Sequence, residues 1–268
     1  MTVEGKDGVA ELHMSLADEV GTLTLDRPDH LNALTVPMVR ALRREAPALV
    51  AAGARAIVLT GRGAAFCAGA DLALVDRALA GDPHAALTPL VEGLHAAVKV
   101  LRALPVPVVA AVEGPAVGAG LGLALAADLR VLAKDARLIP GYMGIGASPD
   151  GGVSYFLSRM LGAARAGALL LRNRPLDVEE ALAAGLAESV TEPGAALDAA
   201  QQLAATLTGT PPLALVRMRE LVDRATVNGL TDQLDLEQRR VTELWDTHDF
   251  TEGVRAFRER RRPAFRGD

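Results

Sequence analysis

Residues 105–128, PVPVVAAVEGPAVGAGLGLALAAD, constrain the fold of this chain more than any other stretch. Val106, Val108, Val109, Ala111 and Val112 make a short β-branched run that reads as a buried strand, and Gly118, Gly120 and Gly122 then open an apolar helical segment. A strand feeding a glycine-rich helix start leaves amide N–H groups without intrahelical partners, directed at one spot near the positive end of the helix dipole. Such a spot suits an anion or a developing oxyanion.

Two further strand–loop–helix connections follow the same plan. Residues 20–25 (VGTLTL) alternate as a strand does and lead through the polar turn DRPDHLNAL into a helical pattern over residues 36–51. The strand at 56–60 ends in GRGAAFCAGADL, a second glycine-bearing loop that delivers the chain into a helix near Leu72. Between 73 and 89 the pattern weakens, interrupted by Gly81, Asp82 and Pro83, and reads as a mobile cover over a site. Helix is expected over 90–104, strand over 105–112, helix over 120–127 and strand over 129–133. The next loop, IPGYMGIGASPDGG, closes at Asp150-Gly151-Gly152, where another helix starts. Strands separated by helical crossovers predict an α/β fold with largely parallel sheets and loops at the strand ends free for chemistry. Beyond residue 195 only helical periodicity remains, down to the basic tail RAFRERRRPAFRGD, so a boundary is placed between 1–195 and 196–268.

Composition narrows the function. Half of the residues are hydrophobic but only 3% are aromatic, so the core must be built from Ala, Leu and Val. A net charge of -5 argues against a nucleic-acid partner, whose phosphates need Lys and Arg. One cysteine, Cys67, cannot form an internal disulfide, and the histidines are scattered at 13, 30, 84, 95 and 248, so no structural metal site is expected. The opening MTVEGKDGVAE has no apolar leader run, and the long apolar stretch 103–127 carries Glu113 and prolines, so a cytoplasmic chain without a membrane span is expected. The GAGLG of 118–122 lacks the GxGxxG spacing of a dinucleotide fingerprint.

Taken together, LTLDRPDHLNAL (23–34), IVLTGRGAAFCAGADL (57–72), PVVAAVEGPAVGAGLGLALAADLRV (107–131), GIGASPDGG (144–152) and AFRERRRPAF (256–265) resemble the enoyl-CoA hydratase/isomerase (crotonase) superfamily over nearly the whole chain. The resemblance implies a crotonase-like spiral of repeated ββα units followed by a C-terminal helical trimerisation region, assembled as a homotrimer or homohexamer. It also implies an acyl-CoA thioester substrate, with coenzyme A part of that substrate and no separate cofactor. By position, the backbone N–H groups of Ala70 (in AGAD) and Ala119 (in VGAG) would hold the thioester oxygen. His30, Leu31, Ala68, Asp71 and Leu72 would lie along the CoA, with Phe257 and Arg260 reaching it from the tail and Gly118 and Tyr142 facing the acyl group. Asp71 has a second reading, as an Asx-type organiser of its loop.

The carboxylates decide the reaction in this superfamily. Where its hydratases carry two glutamates, this chain has Gly122 and Tyr142, and neither side chain replaces a carboxylate working near neutral pH. Asp150 remains. Read alone it is either a helix N-cap or a base. Its loop is similar to that of the isomerase branch of bacterial phenylacetyl-CoA degradation, which implies a proton-shuttling acid. The expected activity is a double-bond shift, from a 3-enoyl-CoA to a 2-enoyl-CoA. A hydratase using a single acid and a non-catalytic CoA- or RNA-binding homologue are the alternatives.

Overall fold

A computed structural model describes residues 11–268; the stretch before Glu11, in which no leader was expected, lies outside the described residues. The chain runs through β1 (Leu12–Ala17), β2 (Val20–Leu25), α1 (Val36–Ala51), β3 (Ala56–Gly61), α2 (Leu72–Leu79) and α3 (Pro83–Ala103). It continues with β4 (Val108–Val112), β5 (Pro115–Val117), α4 (Ala119–Ala126), β6 (Leu129–Ala133), β7 (Arg137–Ile139) and α5 (Val153–Leu161). After α6 (Ala163–Arg172), α7 (Val178–Ala183) and β8 (Ser189–Thr191) come α8 (Ala196–Leu207), α9 (Pro212–Ala225), α10 (Leu230–Leu244) and α11 (His248–Glu259).

The main sheet has the order β1-β2-β3-β4-β6-β8 and is parallel except for the β1–β2 hairpin. A second layer is built from shorter pieces: β5 pairs with β7, and the isolated bridges Leu34–Ala70, Cys67–Ala116 and Leu138–Leu176 extend it. Each turn of the chain thus adds a long strand to one sheet, a short strand or bridge to the other, and a helix outside. This is the expected spiral of ββα units. β5 and β7, three residues each, are too short for a period of two to be seen in sequence.

Strands β3 and β4 are buried at every position, which is why they read as continuous apolar runs rather than alternating ones. One face, with Leu59 and Ala110, joins the main core under α1, α3 and α4. The other, with Val58, Val109, Ala111 and Val131, is covered by Ala196, Ala200 and Ala204 of α8. Loss of strand periodicity at 195 therefore marks the end of the sheet, while the first helix beyond it still covers that sheet.

Residues 73–89 hold more helix than their pattern shows: α2 runs to Leu79 and α3 starts at Pro83, with the expected interruption between them. The Gly81-Asp82-Pro83 interruption is a helix start: the Asp82 carboxylate accepts from the Ala85 N–H at 3.1 Å, and Pro83 sits in the first turn, where no N–H is needed.

Candidate active site

Two loops are laid side by side by backbone pairing. Cys67 donates to the Pro115 carbonyl at 3.1 Å and accepts from the Val117 N–H at 2.9 Å, fixing residues 66–71 along β5. On the other side of that loop, Leu34 donates to the Gly69 carbonyl at 2.7 Å and accepts from the Asp71 N–H at 3.2 Å. A parallel bridge of this kind uses the neighbours of Ala70 and leaves its own N–H turned away from Leu34. Ala119 is the first residue of α4, preceded by Gly118 at φ 52°, ψ -115°, a conformation that favours glycine. Its N–H therefore has no carbonyl one turn earlier in the helix. A Cβ placed on Gly69 would lie 2.9 Å from the Val117 carbonyl oxygen and 3.8 Å from the Ala119 nitrogen, so the turns bearing Ala70 and Ala119 are in contact.

The turn at residues 27–34 is pinned to these loops by side chains that the sequence did not single out. Arg27 donates to the Ala33 carbonyl at 2.6 Å and to Asp71 Oδ2 at 2.9 Å. Asn32, fully buried at φ 55°, accepts from the Arg27 N–H and donates to the carbonyls of Arg62 and Ala65. Asp71 caps α2 through the N–H groups of Ala73 and Leu74. Burial alone would push its carboxyl up, but the Arg27 hydrogen bond, the two amides and the Arg27 charge outweigh that and hold it below the usual carboxylate range. Both Asp71 oxygens are thus engaged within the chain, the organising role. Leu31 and Ala68 are joined by an N–H to carbonyl bond of 2.9 Å, and His30, Leu31 and Leu72 are exposed around them.

Asp150 is not the cap of α5. That position is Gly152, and no side chain caps the helix. The carboxylate instead accepts the Tyr142 hydroxyl at Oδ1, 2.9 Å away. The Tyr142 ring lies against Gly118, whose added Cβ would meet ring carbons at 3.7 and 3.8 Å. Burial first, then the negative charge and hydrogen bond of Asp150, push the phenol well above its ordinary range, so Tyr142 stays a donor. On the far side of the turn, the Gly151 N–H donates to His95 Nε2 of α3 at 3.2 Å. A lone histidine on a helix carried no signal of this contact.

Phe257 and Arg260 belong to α11 and its end. Phe257 is 86% exposed and lines a hollow with Phe250 and Phe265, while Arg260 ends the helix in a left-handed conformation. Other tempting acids have structural work: Glu113 accepts from the Gly194 and Ala196 N–H groups ahead of α8, and Asp128 holds the Val108 N–H and Arg219. His248, Asp249 and Asp268 gather at the C-terminus, where the Asp249 oxygens accept from the Arg266 and Gly267 N–H groups. Among the described residues, no helix is long and apolar enough to cross a membrane.

The chain matches the family described as Enoyl-CoA hydratase/isomerase over residues 16–268. It is 38% identical to a probable enoyl-CoA hydratase of Rhodobacter capsulatus over 259 residues, 96% of this chain and 98% of that one. It is 36% identical to the 1,2-epoxyphenylacetyl-CoA isomerase of Escherichia coli, covering 92% and 95%. Its structure is similar to the crystal structure of an enoyl-CoA hydratase from Polaromonas sp. JS666, with TM-score 0.88, 35% identity and coverage of 95% and 99%. With the spiral of ββα units and the paired loops in place, these matches establish that the chain belongs to the enoyl-CoA hydratase/isomerase family.

Proposed function

We propose that this protein shifts the double bond of an acyl-CoA thioester, converting a 3-enoyl-CoA into the conjugated 2-enoyl-CoA. The thioester oxygen accepts hydrogen bonds from the N–H groups of Ala70 and Ala119. As charge develops on that oxygen, each preorganised donor contributes about 3 kcal/mol. Asp150 takes the proton from C2: the C–H bond breaks, its electron pair moves toward the thioester oxygen, and the carboxylate becomes a carboxylic acid. The same acid returns the proton at C4 as the double bond settles between C2 and C3. No electrons leave the substrate, so the reaction as written calls for no redox cofactor.

The observation that carries this reading is the Asp150 carboxylate, which accepts from Tyr142 where hydratases of the family carry a glutamate, while Asp71, the acid of the neighbouring loop, has both oxygens engaged within the chain. At the other glutamate position, Gly122, the Asp150–Gly151 turn fills the space that a side chain would need. Hydration by a two-carboxylate route has no second carboxylate here. The hydratase names among the relatives keep single-acid hydration as the second reading.

On this reading the CoA portion lies along the rim formed by His30, Leu31, Ala68 and Leu72, and the family resemblance adds Phe257 and Arg260 of the C-terminal helices. The test is direct: purified protein receives a 3-enoyl-CoA and, separately, a 2-enoyl-CoA, and the conjugated-thioester absorbance is followed. A rise from the 3-enoyl substrate supports the isomerase. A fall with the 2-enoyl substrate alone supports the hydratase, and no change in either supports a binding protein. Asp150→Asn, which keeps shape and removes the base, is expected to retain acyl-CoA binding and lose most turnover.

A further inference from the structure

Resting on the reading of Asp150 as the base, we infer that Tyr142 is a positioning residue that locks the Asp150 carboxylate to the Gly118–Ala119 turn and reserves its Oδ2 for the substrate proton. One side chain makes both connections. Its ring packs on Gly118, immediately before the Ala119 amide, and its hydroxyl donates to Asp150 Oδ1 at 2.9 Å while lying 3.3 Å from the Asp150 carbonyl oxygen.

A carboxylate on a short side chain turns about its last bond, and either oxygen can face the reacting carbon. A donor fixed to Oδ1 removes that freedom, so Oδ2 is presented in one orientation, as a proton carried between C2 and C4 of one substrate requires. The phenol does not act as a second proton carrier: buried and next to a negative charge, it resists ionisation and keeps its proton throughout. It also fills the place of the second hydratase acid with a group that supplies no base for water. The backbone side of the same turn is held from α3, where His95 Nε2 accepts the Gly151 N–H. His95 is the other titratable group on this turn.

Tyr142→Phe keeps the ring on Gly118 and deletes only the donor. The expected result, with a 3-enoyl-CoA, is a kcat about ten- to a hundredfold lower, the worth of a hydrogen bond to a charged group, and KM nearly unchanged. The acid limb of the kcat/KM profile should also move to higher pH, because a lost donor disfavours the ionised carboxylate. His95 is common to both proteins, so the difference between the two profiles isolates Tyr142.

As a variant that preserves the fold, 3-fluorotyrosine incorporated into Tyr155→Phe protein modifies Tyr142 alone, since the chain has two tyrosines. Its more acidic hydroxyl should move the acid limb to lower pH than in Tyr155→Phe itself. If Asp150→Asn abolishes turnover while both Tyr142 modifications leave kcat and the profile unmoved, the positioning role is overturned and the base assignment stands. If Asp150→Asn turns over normally, the base assignment has failed, and the inference falls with it.

Discussion

A side chain at Gly122 would place its Cβ 2.6 Å from the carbonyl oxygen of Gly151 and 3.1 Å from the carbonyl carbon. Real Cβ atoms do not approach backbone that closely, and the obstructing atoms are main chain held by α4 on one side and His95 on the other. The turn that presents Asp150 therefore occupies the space of the hydratase glutamate. The two arrangements exclude one another.

Gly122→Glu is accordingly expected to displace the 150–152 turn instead of creating a two-carboxylate hydratase. Isomerase turnover should fall by about a hundredfold or more, in keeping with the cost of moving a reacting group by an ångström. Stability should drop by about 1–3 kcal/mol from overpacking. Denaturant unfolding and the two-substrate absorbance assay measure both effects. A stable variant that hydrates a 2-enoyl-CoA would contradict the packing argument.

Cys67 is expected to be chemically silent in the native protein. It is fully buried, and burial pushes its thiol up to about 12 despite a backbone hydrogen bond from Gly69 that works the other way. A thiol reagent at pH 8 should label it only as fast as the protein unfolds. Above about pH 8.5 the unfolded thiol loses its proton while the folded one keeps it, so this group lowers stability progressively from pH 9 to 12. Cys67→Ala should flatten that alkaline decline in denaturation midpoints, measured relative to its own value at pH 7.

Arg219 latches α9 to the sheet. Its guanidinium is buried, pairs with Asp128 and donates to the carbonyls of Leu104 and Val106. Arg219→Ala removes the nearer cation from Asp128, which keeps the Val108 N–H and Arg102, and takes a donor from two carbonyls, so a loss of about 2–4 kcal/mol is expected by denaturant titration. Arg219→Lys should recover only part of it, because an ammonium cannot reproduce the fork.

Much of this was legible in the residues. The helix over 36–51, the buried strands and the three glycine-bearing loops declare themselves because each follows a regular period or ends in an unmistakable break. The second layer was not, since Leu34, Ala70, Cys67 and Ala116 pair as single bridges with no repeat to detect. Gly81-Asp82-Pro83 shows as a break in the sequence, but that it caps a second helix is not visible, because a helix cap and a loop are written in the same residues. Arg27 and Asn32 were invisible as organisers for a different reason: their partners are backbone carbonyls and a carboxylate from other segments, which no local pattern encodes. At Asp150, the cap reading could be set aside only by seeing that its oxygen meets a phenol and not the amides of α5.

The C-terminal helices leave Leu230, Leu234, Val241, Trp245, Phe250 and Val254 exposed, apolar side chains of the kind that association covers. We propose that copies of this chain cover them by associating through residues 196–268 as a homotrimer or a dimer of trimers. Sedimentation equilibrium should return three or six times the chain mass of 27.9 kDa, and Val254→Asp should lower that ratio. A monomer at micromolar concentration would contradict it.

Catalysis as proposed needs two backbone donors and one acid to meet a single thioester, and a crystal structure with an unreactive acyl-CoA analogue tests that most directly. The predicted result is a thioester oxygen about 3 Å from both the Ala70 and Ala119 nitrogens, with Asp150 Oδ2 beside C2 and C4. A thioester oxygen bound away from either amide, or an Asp150 carboxylate turned from the acyl chain, would contradict it.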